Sequence, residues 1–178
     1  MSQQVLSRPG ESEYAPFYAG YIARIDGDAI ERLKRQATAF EPLRNLAESR
    51  ADSRYEPDKW SVKEVIGHVT DAERVFAYRL LRIARGDATP LPGFEQAGYV
   101  ANAGFGRHSM GTMLDAFRAT RASTLAMLGE FDDAAWTRMG VASGFPVSAR
   151  AIAYIIAGHL SHHASLLREK YGLALTED

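Results

Sequence analysis

The chain has 178 residues, 46% of them apolar and 24% charged, and its 21 basic and 22 acidic side chains leave a net charge of −1. That length and apolar fraction suit one compact domain over residues 1–178, and the interspersed charge leaves no footprint for nucleic acid or an anionic membrane. Cysteine is absent, which excludes disulfides, thiolate ligands and a cysteine nucleophile; any thiol chemistry must use a thiol brought by the substrate.

The opening stretch MSQQVLSRPGESEY lacks the apolar core of a secretory leader, and no segment reaches the roughly 20 apolar residues that span a bilayer, so no membrane role and a cytoplasmic location are expected. Glu13 to Ile25 reads as a short helix carrying Tyr14, Phe17, Tyr18 and Tyr21, its tyrosines placed in the core rather than along a pocket, and Asp26-Gly27 as a turn. Asp28 is positioned to cap a helix from Ala29 to Phe40, continued from Leu43 to Ser49 past a restart or kink at Pro42. After the connector SRYEPDKW, Ser61 caps a long helix and Glu64, three residues on, closes a capping box. Val62, Val65, Val69, Ala72, Phe76 and Ile83 recur on that helix as a buried stripe.

Gly86 to His108, GDATPLPGFEQAGYVANAGFGRH, is dense in glycine and proline and reads as a long ordered loop over the end of a bundle. Its GxG lacks the strand, glycine spacing and lysine of a phosphate-binding loop. Ser109 opens a third main helix to about Leu128, with Met113, Leu114, Phe117, Leu125 and Leu128 on its apolar face and Arg118 and Arg121 on a more polar side. Asp132 or Asp133 caps a short turn containing Trp136, and MGVASGFPVSAR reads as a loop. Ser148 caps the final long helix, whose Ile152, Ile155, Ile156, Leu160, Leu166 and Leu167 mark a face for burial or for a dimer surface.

Four of the five histidines fall on two of these helices. His159 and His163 stand four apart, so both imidazoles face one side of the last helix, and His68 borders the apolar stripe of the second. Three neutral imidazoles with one position left open suit a mononuclear zinc, nickel, cobalt or ferrous site of the catalytic rather than the closed structural kind. His162 is rotated by about 100° from His163 and reads as a pocket-lining, interface or ligand-supporting group. His108 reads as a surface residue. Asp71 is close enough in sequence to touch the His68 ring, whereas Glu73 reads as solvated or paired with Arg74 or Arg79. Gln96 and Tyr99 offer an amide and a phenol to a substrate, unless Phe94 and Tyr99 merely pin the loop. Leu160 stands where a zincin has its glutamate, and neither a pair of Glu-x-x-His motifs nor a serine elbow is present.

Trp60, Ser61, Glu64, His68, Asp71 and Glu73, followed by His159 and the His162, His163 pair, resemble the DinB-like superfamily of metal-binding four-helix proteins. The match covers most of the chain and looks closest to the branch of metal-dependent hydrolases and bacterial thiol transferases. It implies an all-α four-helix bundle with up-up-down-down type connectivity, to which the residues themselves add the long loop between the second and third main helices. It also implies a homodimer and a divalent ion, nickel or zinc, held by His68, His159 and His163. The activity implied is a metal-dependent hydrolase or a thiol S-transferase acting on a small molecule, the latter with a low-molecular-weight thiol as cosubstrate. For either reaction His162, Asp71, Gln96 and Tyr99 are the groups expected to assist proton transfer. The enzyme reading predicts a cavity under residues 86 to 108. The alternative is a non-catalytic structural or stress-associated interaction protein, in which the ion only ties helices together.

Overall fold

Short polar side chains start most of the longer helices of this chain, though not its first helix. In the computed structural model, which describes residues 5–176, that first helix is preceded by irregular backbone. Glu11–Glu13 and Pro16–Tyr18 are 3₁₀ turns, and only α1 (Ala19–Ile22) is α-helical, where one helix over 13–25 was expected. Tyr14 is extended and Pro16 has no N–H to donate, so no ladder can run through them. The leader reading and the domain bounds 1–178 extend to residues 1–4 and 177–178, which lie outside the described residues.

Asp28 does cap α2 (Ala29–Arg35), accepting from Ile30 N at 2.8 Å, but the helix tightens into 3₁₀ at Gln36–Thr38. Pro42 sits in a further 3₁₀ turn, Glu41–Leu43, and α3 (Glu48–Ala51) is a single turn, so the rod expected to Ser49 is broken. The capping box of α4 (Val62–Ala84) is as the spacing predicts: Glu64 N donates to Ser61 Oγ at 3.2 Å and Ser61 N to Glu64 Oε2 at 2.7 Å. All six residues of its predicted stripe are buried.

The span 86–108 is not all loop. Glu95 caps α5 (Gln96–Ala103), and Gly104 at φ +64° closes it in the left-handed conformation that glycine adopts freely. Ser109, Asp132 and Ser148 cap α6 (Met110–Leu128), α7 (Asp133–Thr137) and α8 (Ala149–Tyr171), each accepting from the amide three residues on. Residues 139–148, expected as loop, form an antiparallel hairpin of β1 (Met139–Ala142) and β2 (Phe145–Ser148). Its two central residues, Ser143 and Gly144, have φ +55° and +82°, the turn whose twist matches that of paired strands.

The main bundle comprises α2, α4, α6 and α8, with α8 packed on α4, α1 and α2, and α6 on α4 and α2. The apolar face of α8 is therefore used inside the chain, and of the six residues read as its buried face only Leu166 remains partly exposed. Two apolar clusters are stacked along the bundle, one around Leu33, Phe76, Leu80 and Ile152, the other around Phe40, Val65, Phe117 and Leu167. The changeover falls at a common level on all four helices, and polar side chains fill it. Arg121, expected on a polar surface, is fully buried and gives Glu73 two hydrogen bonds of 2.8 Å and Leu33 O one of 2.9 Å. Glu73 is accordingly neither solvated nor paired with Arg74 or Arg79. Gln36 Nε2 donates to Ala157 O at 3.0 Å and Ser161 Oγ at 2.9 Å in the same layer. No described helix is long and apolar enough to cross a membrane.

Candidate metal centre

His68 from α4 and His159 and His163 from α8 meet beside this polar layer, 2%, 3% and 7% exposed. One ring nitrogen of each lies within 4.8 Å of the other two, and the Nε2 atoms of His68 and His159 are 3.0 Å apart. With metal–nitrogen bonds of about 2.0–2.1 Å, ligand nitrogens around a tetrahedral ion sit about 3.3–3.4 Å apart, so the cluster already has the required scale. His163 Nδ1 is buried without a hydrogen-bond partner, an exception in an interior where polar atoms are normally paired. This donor set is capable of coordinating a divalent metal ion.

Burial is the main cause of low basicity in all three rings. It pushes His68 down to about 4, helped by the neighbouring His162. His159 and His163 are held well below the ordinary histidine range by burial and then by the other imidazoles of the cluster. The rings are therefore neutral near pH 7, the form that binds metal.

Two glycines let the surroundings close on the cluster. A Cβ on Gly158 would lie 2.1 Å from the Tyr21 carbonyl oxygen, and one on Gly67 would lie 2.4 Å from the Phe105 ring. The room beside His159 is thus occupied by the backbone of α1, which brings the Tyr21 ring to 5.4 Å from His159 and 5.5 Å from His162. Trp60 covers His68 at 4.7 Å, and Phe76 stands 6.0 Å from His159. Gly158→Ala is expected to lower stability by about 1–3 kcal/mol through this clash, outweighing the roughly 1 kcal/mol that alanine gains over glycine within a helix. Urea unfolding checks it; an unchanged or higher midpoint would contradict the close approach of α1.

The remaining predicted site residues are not gathered at the cluster. Half-buried His162 lies against Tyr21 and His163, at the edge of the triad. Asp71 pairs with Arg74 at 2.9 Å, and no hydrogen bond joins it to His68 among the described residues. Gln96 is exposed, and Tyr99 is exposed with its ring 5.4 Å from Phe94. Clefts do lie under residues 86–108, one lined by Gly67, Asp71, Phe105 and His108 and one by Tyr78, Leu91, Phe94 and Tyr99, but no triad histidine lines either. His108 is exposed, as expected. Sequence reading placed Tyr21 in the core and missed the contact of Phe76 with His159; spacing along single helices carries no signal for contacts between helices.

A helical bundle with a buried three-histidine cluster is the class of protein that fold and site define. The chain belongs to the DinB superfamily, whose family model matches residues 31–167. Among solved structures it is similar to YfiT from Bacillus subtilis, described as a probable metal-dependent hydrolase with an unusual four-helix bundle topology. The two chains are 14% identical and superpose with a TM-score of 0.69 over 94% of this chain and 95% of the other, a likeness of fold. No curated protein matches the chain.

Proposed function

We propose that this protein is a mononuclear metal-dependent enzyme, a hydrolase or thiol S-transferase for a small molecule, with nickel or zinc held by His68, His159 and His163. The convergence of three buried neutral imidazoles from two helices carries this reading. A divalent ion bound there supplies Lewis acidity toward a water, a carbonyl or a low-molecular-weight thiol. Trp60, Tyr21 and Phe76 pack around the histidines and limit the entry of water. His162, between Tyr21 and His163, takes or returns the proton. Among the described residues Asp71, Gln96 and Tyr99 make no hydrogen bond to the cluster, so for Asp71 to assist proton transfer it must leave Arg74, and for Gln96 and Tyr99 to do so the segment that follows α4 must move. The proposal extends to up-up-down-down connectivity and a homodimer, on the strength of the family resemblance, and to a single domain over residues 1–178 and a cytoplasmic location, on the strength of length, composition and the apolar pattern.

The near-complete burial of the three rings favours a second reading, a non-catalytic metal protein in which the ion ties α4 to α8. Elemental mass spectrometry on untagged protein, beside His163→Ala, tests the part the two readings share. About one ion per chain is expected, lost in the variant; no ion even after reconstitution with zinc, nickel and manganese would overturn both. In cobalt-substituted protein the enzyme reading expects the visible spectrum to change on adding a small thiol, and an unchanged spectrum with full occupancy selects the second reading.

A further inference from the structure

Four charged side chains are buried among the described residues: Lys63, Glu73, Arg79 and Arg121. Glu48 and Asp52 neutralise Lys63, and Glu73 and Arg121 neutralise each other. Arg79, 3% exposed, has no carboxylate within ion-pair distance among the described residues. Its Nη2 donates to Pro92 O at 2.6 Å and Ser143 Oγ at 3.1 Å, with the Tyr18 hydroxyl alongside. These partners are neutral, so they leave its charge uncompensated. A buried guanidinium without a counter-charge is costly, and buried arginines are ordinarily paired.

The surroundings suit an organic anion. The Phe76 and Phe94 ring centres lie 5.9 Å and 5.6 Å from the guanidinium carbon. Arg79 lines two clefts: one shared with Tyr18, Phe76, Phe145 and Ile155, nearly filled at about 10 Å³, and a roomier one of about 320 Å³ with Leu91, Phe94 and Tyr99. Phe76 also stands 6.0 Å from His159, so guanidinium and imidazole are no more than about 12 Å apart, the two distances laid end to end across one apolar ring. Arg74, the other cation at the second cleft, is already paired with Asp71, so apolar walls with one uncompensated cation match a monocarboxylate better than phosphate, whose second charge would find no partner.

We propose that Arg79 receives the carboxylate of a small molecule whose apolar body lies along Leu91, Phe94 and Tyr99 in the second cleft. That the molecule is the substrate rests on the metal-enzyme reading; that it binds does not. Titration of the full-length protein with hexanoate, hexanamide and inorganic phosphate, followed by calorimetry and by the Arg79 Nε–Hε resonance, tests the assignment. Hexanoate is expected to bind and to shift that resonance, with hexanamide and phosphate at least about tenfold weaker and Arg79→Met about ten- to a hundredfold weaker for hexanoate. Equal affinity for hexanoate and hexanamide, an unmoved resonance, or undiminished binding by folded Arg79→Met overturns it. The wild-type comparisons need no variant, so misfolding of Arg79→Met leaves the test complete. The same titration after metal removal and on His163→Ala separates the two claims. Carboxylate binding without any metal site sinks only the metal reading, and an ion bound without carboxylate binding sinks only this one.

Discussion

Arg121→Met is expected to lower the stability of the protein by about 3–5 kcal/mol, the range for removing one partner of a buried ion pair. Arg121 Nε and Nη2 each hold a Glu73 carboxylate oxygen at 2.8 Å, and Nη1 holds Leu33 O at 2.9 Å. Methionine fills much of the same volume and satisfies none of these acceptors, so a carboxylate and a carbonyl are left dry and unpaired. Set against the 5–15 kcal/mol that typically holds a domain together, that is a large share. The double variant Glu73→Leu with Arg121→Met is expected to recover most of the loss, because it removes the stranded charge as well. Urea unfolding of the two variants decides the matter; a single variant within about 1 kcal/mol of wild type would mean that the pair is solvated. The pair also joins α4 to α6 and to α2 about one and a half helical turns beyond His68, so the single variant is expected to bind metal more weakly.

Metal-free protein is expected to lose stability steadily as pH falls from 6.5 toward about 4, the ordinary value and the depressed folded value of His68. In that window an unfolded imidazole takes a proton that the buried ring cannot, so acid favours the unfolded chain. His159 and His163 are depressed for the same reason and add to the slope, each by up to about 1.4 kcal/mol per pH unit. Above 6.5 the contribution of these rings is constant. Glu13, which the Arg150 guanidinium lowers from 4.5 to about 2, adds a separate loss as pH falls below 4.5 toward 2, where the unfolded carboxylate takes a proton that the paired one refuses. A bound ion competes with protons for the same nitrogens and is expected to move the onset of the loss to more acid pH. Thermal unfolding from pH 7.5 to 4, with and without metal, tests this. A flat profile for the metal-free protein between pH 6.5 and 4.5 would show that the rings are solvated or already charged.

Residues 139–148 and 96–103 show where local reading failed although the signals were local. Ser143-Gly144 is a turn dipeptide flanked by Val141 and Val147, and Glu95 with Gly104 brackets a run that helices tolerate. In both spans the density of glycine and proline outweighed those marks. Arg121 failed for a different reason. Helical spacing set it apart from the apolar face of α6, and an arginine off the apolar face normally meets water; only the arrival of Glu73 from α4 makes its burial tolerable.

By itself the sequence determined where the long helices start, because a cap is a hydrogen bond across three residues: Ser61, Ser109 and Ser148 each accept from a nearby amide. It also determined that His159 and His163 share one helix face, since the α-helical repeat permits nothing else. Tertiary structure alone decided that His68 Nε2 lies 3.0 Å from His159 Nε2, that α1 closes on Gly158, and that Arg79 is buried without a counter-charge among the described residues. Each of these depends on how neighbouring elements are offset and rotated, and that is decided by the packing of whole side-chain layers rather than by the spacing of residues along one helix.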